Sequence, residues 1–388
     1  MQFRDLAKQY EVLKNDIDQA MIDVASGAHY IMGPQVKELE QQLADYVGVK
    51  HCLTCANGTD ALTLALKAWG IGPGDAVFVP DFTFFASAEV VALEGATPVF
   101  VDVDPTTFNI DVNSLETAIQ KVLADGQLMP KVIVAVDLFG LPADYPKVKA
   151  IAKQYGLLIL EDGAQGFGGS ISNLNPQTSN LQPPTSKSCS FGDISTTSFF
   201  PAKPLGCYGD GGAVFTDNDE WAGLINSYRV HGKGSDKYDN VRIGMNSRLD
   251  TLQAAILQVK LRAFDGEVER VNEVARYYTQ LLKDHVKTPV IPEGFGSSWA
   301  QYTIQLPTEA DRNRLQAALK EQGIPSMVYY PKAMHLQTAF SGTSQHMGCP
   351  VAEKLCSTVL SLPMHPYLEP KDIEFVCTTL ISSLSIKH

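Results

Sequence analysis

Long apolar runs are absent from this sequence of 388 residues. A helix that crosses a bilayer needs roughly 20 consecutive apolar residues, so no transmembrane helix is predicted. The first residues, MQFRD, also lack the basic and apolar regions of a secretory signal peptide. We therefore expect a cytoplasmic protein that does not bind membranes.

Cysteine is scarce, with seven residues in the whole chain. An odd number of cysteines in a chain long enough to build its own core argues against a disulfide framework. Cys52 and Cys55 form a C-x-x-C pair, but no second pair and no histidine follow at metal-binding spacing. We interpret the cysteines as core thiols and predict no metal site.

Positive charge is in deficit, and the formal net charge is −12. This balance disfavours nucleic acid or an anionic membrane as a partner, while a locally basic pocket for a small anion is compatible with it. No Gly-x-Gly-x-x-Gly turn follows the first strand-like run, which disfavours a nucleotide-binding dehydrogenase.

The apolar residues that are present predict an α/β fold. Short apolar runs at 76–79, 98–101 and 132–135 alternate with segments long enough to hold crossover helices. This pattern is typical of a mostly parallel sheet covered on both faces. The length of the chain exceeds one ordinary core, so two structural units are expected.

A segment rich in helix formers and without internal proline extends from Leu249 to about His285. We predict that it forms one long helix leading from a large domain, residues 1–255, into a small α+β domain, residues 256–388. Strand-like residues 302–306 and helical residues 309–322 would belong to the small domain.

Residues 170–188 are polar, contain proline and carry almost no charge. Such a composition suits a flexible surface loop better than a packed element. Two interpretations stay open: a lid over a ligand site, or a tolerated insertion, which is the commoner case.

Two residues predict a chemistry. Asp162 follows the buried strand-like run 157–160, and ligands of open α/β sheets lie at the carboxyl ends of such strands. Lys203 comes later, ahead of a glycine-dense turn at 206–212. Alone, such an aspartate is often a turn residue and such a lysine a surface charge. Together they supply what pyridoxal phosphate needs: an amine that holds the aldehyde and a carboxylate against the pyridine nitrogen.

The start of a predicted helix at Gly58, Thr59 and Asp60 offers amides and a positive dipole end to a phosphate. Simple helix capping by Asn57 is the alternative interpretation.

Six motifs, in order, give the chain a resemblance to a known family. From residues 3–6 almost to its last residues, the sequence resembles the DegT-type nucleotide-sugar aminotransferases, a branch of the aspartate-aminotransferase fold (fold type I of the pyridoxal phosphate enzymes). The motifs are 30–34 (YIMGP), 57–62 (NGTDAL), 81–84 (DFTF), 161–165 (EDGAQ), 198–203 (SFFPAK) and 244–250 (GMNSRLD). The resemblance implies a large domain with a seven-stranded, mostly parallel sheet.

The resemblance also implies pyridoxal 5′-phosphate as cofactor and a homodimer with shared active sites. Lys203 would be the catalytic amine, with L-glutamate as amino donor, and Asp162 would keep the pyridine nitrogen protonated. Family members that dehydrate sugars carry histidine in place of this lysine, so Lys203 favours transamination. The other implied cofactor contacts are Gly58, Thr59, Asp60, Phe84 stacked on the ring, Gln165 beside the phenolic oxygen, Ser198, and Asn246 from the other subunit.

Residues 229–248 contain five basic side chains against two acidic ones. This excess suits a diphosphate or a carboxylate, or belongs to an ordinary solvated loop. The string 229–246 resembles the subgroup that aminates the C3 ketone of UDP-2-acetamido-2-deoxy-3-oxo-glucuronate for lipopolysaccharide O-antigen sugars. The candidate substrate contacts are Arg229, Arg248, Tyr330 and His335, with a structural role as the alternative for the last two.

Three alternatives remain. A relative of the same family would act on a different keto sugar, such as a C4 ketone. Cysteine desulfuration would need a mobile nucleophilic thiol, and Cys207 lies close to Lys203 in sequence without such a setting. A non-catalytic, pyridoxal phosphate-binding regulator would usually carry an added interaction domain, which the sequence does not show.

Overall fold

The computed structural model describes residues 1–172, 185–236 and 238–385. Its α-helices are α1 (Leu6–Gly27), α2 (Pro34–Val47), α3 (Gly58–Ala68), α4 (Ala86–Leu93), α5 (Val112–Asp125), α6 (Tyr145–Tyr155), α7 (Asp219–Tyr228), α8 (Thr251–Leu282), α9 (Glu309–Glu321), α10 (Pro350–Thr358) and α11 (Pro370–Ser385). Its strands are β1 (His51–Cys55), β2 (Asp75–Pro80), β3 (Thr97–Val101), β4 (Met129–Val136), β5 (Leu158–Asp162), β6 (Ser170–Ser172), β7 (Thr185–Lys187), β8 (Ile194–Ser198), β9 (Gly212–Thr216), β10 (Phe295–Gly296), β11 (Tyr302–Gln305), β12 (Gln345–His346) and β13 (Val359–Leu362).

The main sheet has the strand order β1-β9-β8-β5-β4-β2-β3-β12. In the described part of this sheet, β9 alone runs antiparallel to its neighbours. The seven strands from β1 to β3 in this order confirm the predicted seven-stranded, mostly parallel sheet. The eighth, β12, contributes two residues alongside β3 and comes from the C-terminal part of the chain, and two residues carry too little periodicity to be predicted.

Helices cover both faces of this sheet, as its nearly continuous apolar strands require. One face packs against α3 and α4, and the other against α5 and α6. Side-chain caps at Asn57, Asp111, Asp144 and Asn218 fix the starts of α3, α5, α6 and α7.

Helix α8 begins after Asp250 and ends at Leu282, which confirms the predicted long helix. Its first half packs with α2 and β9 in one core, and its second half packs with β11, β13 and α11 in another. The predicted boundary at residue 255 therefore lies inside a helix shared by two cores. Residues 333–356 pack against the α3 and α4 face of the main sheet. The division into two domains stays a prediction.

At the two ends of the predicted loop 170–188, β6 and β7 pair as antiparallel strands, and β6 also pairs with β10. Residues 173–184 lie outside the described residues, so both interpretations of the segment stay open. All seven cysteines are free and buried, as predicted. Across the described ranges, no helix is both long enough and apolar enough to cross a membrane.

Candidate active site

The start of α3 lies directly against the ends of β8 and β9. A Cβ atom built on Gly58 would be 2.7 Å from the Cβ of Ser198, and one built on Gly212 would be 2.5 Å from the Asn57 carbonyl oxygen. Only glycine fits at contacts this short. The structure therefore brings together Gly58 and Ser198, which the sequence placed in one phosphate site.

The first turn of α3 combines capping with anion-binding potential. The Asn57 side chain accepts a hydrogen bond from the Asp60 amide at 2.8 Å, so the capping interpretation holds for that amide. The other first-turn amides of an α-helix have no intrahelical acceptor. The Gly58 and Thr59 amides thus belong to the positive end of the helix, and the Ser198 hydroxyl lies against Gly58.

Asp162 ends β5 and is almost fully buried. Its Oδ2 accepts a hydrogen bond from the Ser87 hydroxyl at 2.7 Å, and its Oδ1 accepts one from the Ala164 amide at 3.2 Å. Ser87 in turn lies 3.1 Å from the Thr83 hydroxyl. Sequence reasoning missed Ser87, although a serine within the apolar helix α4 was an available signal. These two donors fix the orientation of the Asp162 carboxylate.

Gln165 links two parts of the site. Its Oε1 accepts a hydrogen bond from the Phe139 amide at 2.6 Å, and its Nε2 donates to the Tyr330 hydroxyl at 2.9 Å. Burial raises the pKa of Tyr330 above its ordinary value, so the phenol stays protonated. The Tyr330 ring centroid is 6.2 Å from that of Phe84. Phe84 is 55% exposed, which leaves its ring available for stacking.

Lys203 lies in the tight turn after β8, where its amide donates to the Phe200 carbonyl at 2.8 Å. Burial lowers the pKa of the Lys203 amine, the Asp162 carboxylate partly opposes that shift, and the Arg4 guanidinium adds to it. An amine of lowered pKa has a larger neutral fraction and can act as a base. The structure therefore brings the two residues of the sequence argument, Asp162 and Lys203, into one electrostatic site.

Arg229 is placed elsewhere. Only 3% of its surface is exposed, and its Nη1 donates to Glu40 Oε1 at 2.5 Å and to the Thr54 carbonyl at 2.6 Å. Its Nε and Nη2 both donate to Asn226. The guanidinium is thus committed to a structural network between α2, β1 and α7. This placement corrects the expectation of a substrate contact, and we leave Arg229 out of the site.

Asn246 and Arg248 lie together at the surface, with the Arg248 Nε donating to Asn246 Oδ1 at 2.9 Å. The Ser247 hydroxyl between them accepts a hydrogen bond from the Ala56 amide at 3.1 Å. The segment therefore lies beside the loop that leads into Gly58. The Asn246 side chain is exposed and that of Arg248 is half-buried.

His335 is held by Asp81. Its Nδ1 lies 2.6 Å from Asp81 Oδ2, and its amide donates to Asp81 Oδ1 at 2.8 Å. Cys349 completes a cluster in which one ligand atom from each residue lies within 4.8 Å of the others. Two ligands at about 2 Å from one metal ion lie roughly 3 Å apart or more, so the 2.6 Å contact is a hydrogen bond. This geometry favours the structural interpretation of His335.

Residues 11–381 match the DegT/DnrJ/EryC1/StrS aminotransferase family. The chain belongs to this family. Among relatives of this DegT-family protein, the UDP-2-acetamido-2-deoxy-3-oxo-D-glucuronate aminotransferase of Pseudomonas aeruginosa is 44% identical over 381 residues, covering 98% of this chain and 99% of the relative. A pleiotropic regulatory protein of Geobacillus stearothermophilus is 42% identical over 379 residues, covering 96% of this chain and 95% of that protein.

A solved structure of a DegT DnrJ EryC1 StrS aminotransferase from Brucella abortus is 49% identical, with a TM-score of 0.94 over 99% of this chain and all of that chain. Membership of the DegT family confirms the resemblance and the fold class predicted from the sequence. A solved structure of NtdA from Bacillus subtilis with bound cofactor PMP is 28% identical, with a TM-score of 0.85 over 96% of this chain and 82% of that chain. Together these findings confirm the enzyme class and the cofactor: the protein is a pyridoxal phosphate-dependent sugar aminotransferase.

The residues present fit this cofactor. The first turn of α3 and the Ser198 hydroxyl form a cradle for a phosphate, a buried carboxylate ends β5, and an amine of lowered pKa follows β8. Phe84 offers an exposed aromatic face beside Tyr330. The individual roles of these residues stay predictions.

Proposed function

We propose that this DegT-family aminotransferase moves the amino group of L-glutamate to the C3 ketone of UDP-2-acetamido-2-deoxy-3-oxo-D-glucuronate, in the biosynthesis of lipopolysaccharide O-antigen sugars. The buried Asp162 carboxylate, whose charge acts on the buried Lys203 amine, carries the proposal of transamination. The Pseudomonas aeruginosa relative, whose name states this activity and which matches over nearly its full length, supports the substrate.

The proton transfers fall to Lys203. When bound, pyridoxal phosphate supplies an aldehyde that exchanges amines and a protonated ring that withdraws electrons from the reacting carbon. The neutral Lys203 Nζ removes the Cα proton of glutamate and, in the second half-reaction, a proton from the same amine reaches the sugar carbon that receives nitrogen. The lowered pKa of Lys203 keeps a neutral fraction available for the first of these steps.

Asp162 orients and charges the ring. Its carboxylate is fixed by Ser87 and the Ala164 amide. It would accept a hydrogen bond from the protonated pyridine nitrogen of the cofactor. Gln165 and the protonated Tyr330 would lie beside the phenolic oxygen, and Phe84 would cover one face. The phosphate would sit on the Gly58 and Thr59 amides and the Ser198 hydroxyl.

A second copy of the chain would complete the site. Tyr30, Ile31, Met32 and Ile243 are exposed apolar side chains, and the first two adjoin Asp250 and Thr251, which follow the Asn246 segment. Exposed apolar side chains grouped in this way mark interaction surfaces. We propose that they form the dimer interface and that Asn246 reaches the phosphate of the partner.

A mixing experiment tests the shared site. Lys203→Ala and Asn246→Ala chains should each be impaired alone. A mixed dimer has one site with both native residues if Asn246 crosses the interface, so activity returns on mixing. If each site uses its own Asn246, no site in the mixed dimer is intact and activity stays low.

Arg248 is the proposed contact for the sugar carboxylate or the diphosphate. Its guanidinium carries one hydrogen bond to Asn246 and is otherwise partly exposed, in contrast to that of Arg229. A guanidinium binds a carboxylate in a planar, bidentate manner. This makes the uronate carboxylate the feature that the enzyme would recognise.

Three sugar nucleotides separate the candidate substrates. We would compare turnover of three substrates: the 3-oxo-glucuronate, the same 3-oxo sugar with a neutral hydroxymethyl group at C5, and a 4-oxo sugar nucleotide. The proteins would be wild type, Arg248→Ala and the control Arg314→Ala, because Arg314 is an arginine of α9 that pairs with Asp311 at the surface. Preference for the uronate that is lost in Arg248→Ala supports the assignment. Equal turnover of the acidic and neutral 3-oxo sugars contradicts it, and turnover of the 4-oxo sugar alone establishes the alternative.

A regulatory role is the second candidate, because the 42% identical Geobacillus stearothermophilus relative is named as a pleiotropic regulatory protein. Lys203 and Asp162 favour catalysis, since ligand binding alone does not need an amine poised to move protons. Binding of pyridoxal phosphate without amino transfer from glutamate to any of the three sugars would favour the regulator.

A further inference from the structure

The turn that carries Lys203 is held from outside by two cationic side chains. The Arg4 Nη2 donates to the Lys203 carbonyl at 2.9 Å and to the Pro204 carbonyl at 3.3 Å. The Lys260 Nζ donates to the Gly206 carbonyl at 2.7 Å. Arg4 precedes α1 and Lys260 lies in α8, so neither belongs to the strands on which the turn is built.

Lys260 is an unusual buried amine, with 2% of its surface exposed. Burial lowers its pKa to about 8, while Glu267 and Cys207 oppose the shift and Arg4 adds to it. Its Nζ also lies 4.4 Å from the centre of the Tyr208 ring. A methionine would fill the same apolar space without the desolvation of a charge. Besides its charge interactions with the Tyr208 ring and Glu267, the lysine adds the hydrogen bond to the Gly206 carbonyl.

Glu267 joins the two cations. Its carboxylate accepts hydrogen bonds from Gln9 of α1 and from Tyr367, and it attracts both Arg4 and Lys260. One half-buried carboxylate thus ties the segment before α1, helix α8 and the segment before α11 to the Lys203 turn.

The turn itself is compact. A Cβ atom on Gly206 would lie 2.5 Å from the Pro201 carbonyl oxygen and 2.7 Å from that of Phe200, and the Cys207 amide donates to the Phe199 carbonyl at 2.8 Å. With its own amides turned inward, the turn presents the carbonyls of Lys203, Pro204 and Gly206 outward. The two cations satisfy these carbonyls and fix where the backbone of Lys203 lies.

We propose that Arg4 and Lys260 are positioning residues for the amino transfer, because together they hold the Lys203 turn by its carbonyl groups. We call this pair of contacts the clamp. The proposal rests on the proposed role of Lys203. Arg4 has a second effect, because its charge lies close enough to the Lys203 amine to disfavour protonation.

Hydrogen exchange of the protein without cofactor tests the clamp apart from catalysis. In Arg4→Met and Lys260→Met, we expect amides of the peptide 199–208 to exchange about tenfold faster, as local opening becomes easier when a charge-assisted hydrogen bond is lost. Lys8→Met and Arg270→Met are the controls, since these residues pair on the surface of α1 and α8 with Glu11 and Glu273. We expect no change in exchange of this peptide in the controls.

Kinetics of the loaded enzyme give the second readout. In Arg4→Met and Lys260→Met, misplacement of the Lys203 amine should lower kcat by about 10- to 100-fold. The KM for glutamate should stay within about threefold of the wild-type value. Asp162 and Arg4 are the charged groups that face Lys203. In Arg4→Met the loss of positive charge raises the pKa of the amine, so the rise of kcat with pH should move to higher pH. Arg4→Lys, which keeps the charge, should restore the wild-type profile.

The outcomes separate the two proposals. Unchanged exchange and kcat in both variants would overturn the clamp and leave transamination standing. A wild-type protein that neither attaches pyridoxal phosphate at Lys203 nor transfers an amine would overturn the proposed function, while the exchange data would still decide whether the turn is clamped. If Lys260→Met does not fold, Arg4→Met decides, because Arg4 lies before the first helix and is only half-buried.

Discussion

The amide nitrogen of Gln165 donates to the phenolic oxygen of Tyr330 at 2.9 Å, across 165 positions of sequence. Gln165 follows β5 of the main sheet, whereas Tyr330 comes from the C-terminal part of the chain. Both lie beside Asp162, whose charge contributes to the pKa of Tyr330. The site for the cofactor ring is therefore assembled from two distant stretches of the chain. The hydrogen bond between Gln165 and Tyr330 fixes the position of one stretch relative to the other.

Replacing Tyr330 by phenylalanine tests this link. The variant leaves the Gln165 amide without its acceptor in a buried site, so we expect about 1 to 3 kcal/mol of lost stability. We also expect kcat/KM for glutamate to fall by about tenfold, because the ring loses one of its positioning groups. Tyr329→Phe, one residue away, is the matched control. Equal kinetics and unfolding curves for the two variants would contradict the role given to Tyr330.

Ser87 should set the affinity for the cofactor through Asp162. Ser87→Ala removes a donor from a buried carboxylate, and a hydrogen bond to a charged group contributes about 1.5 to 3 kcal/mol. We expect about tenfold weaker binding of pyridoxal phosphate, measured by fluorescence titration. Ser87→Thr keeps the hydroxyl and should bind nearly as wild type. If alanine and threonine behave alike, the hydroxyl does not act on Asp162.

Gly58 should tolerate no side chain. In Gly58→Ala the new methyl group would lie 2.7 Å from the Cβ of Ser198, and overpacking of this kind costs about 1 to 3 kcal/mol. Gly223 of α7 has open space around its Cβ position, so Gly223→Ala should be neutral or stabilising. Thermal unfolding of both variants checks the contrast. A Gly58→Ala protein as stable as wild type would mean that α3 can move away from Ser198.

The pH dependence of stability should reveal Lys260. Its pKa in the folded protein is about 8, below the ordinary value of 10.5, so between these values the unfolded chain binds more protons than the folded one. The contribution of Lys260 to the free energy of unfolding therefore rises as the pH increases from about 8 to about 10.5, and it is lowest below pH 8. The difference in unfolding free energy between wild type and Lys260→Met should change by about 1 to 3 kcal/mol across that window. A difference that is independent of pH would contradict the burial of a charged amine.

The sequence predicted those parts of the site that depend on local pattern. Asp162 ends an apolar strand, Gly58 begins a helix, and α8 lacks proline, so each was visible within its own segment. The contacts that orient these groups are not local. Ser87 reaches Asp162 across 75 positions and Arg4 reaches Lys203 across 199, and no periodicity connects such pairs. The expected substrate contact of Arg229 failed for the same reason, because its partner Glu40 lies 189 positions away in the sequence.

Reduction with borohydride followed by peptide mass spectrometry determines whether pyridoxal phosphate is attached to Lys203. The holoprotein would be reduced with and without prior addition of L-glutamate, for wild type and Lys203→Ala. We expect the phosphopyridoxyl group on Lys203 in wild type, no such label in Lys203→Ala, and loss of the Lys203 label once glutamate has been added. A label on another amine, such as the buried Lys260, or a Lys203 label that glutamate leaves unchanged, would contradict the account.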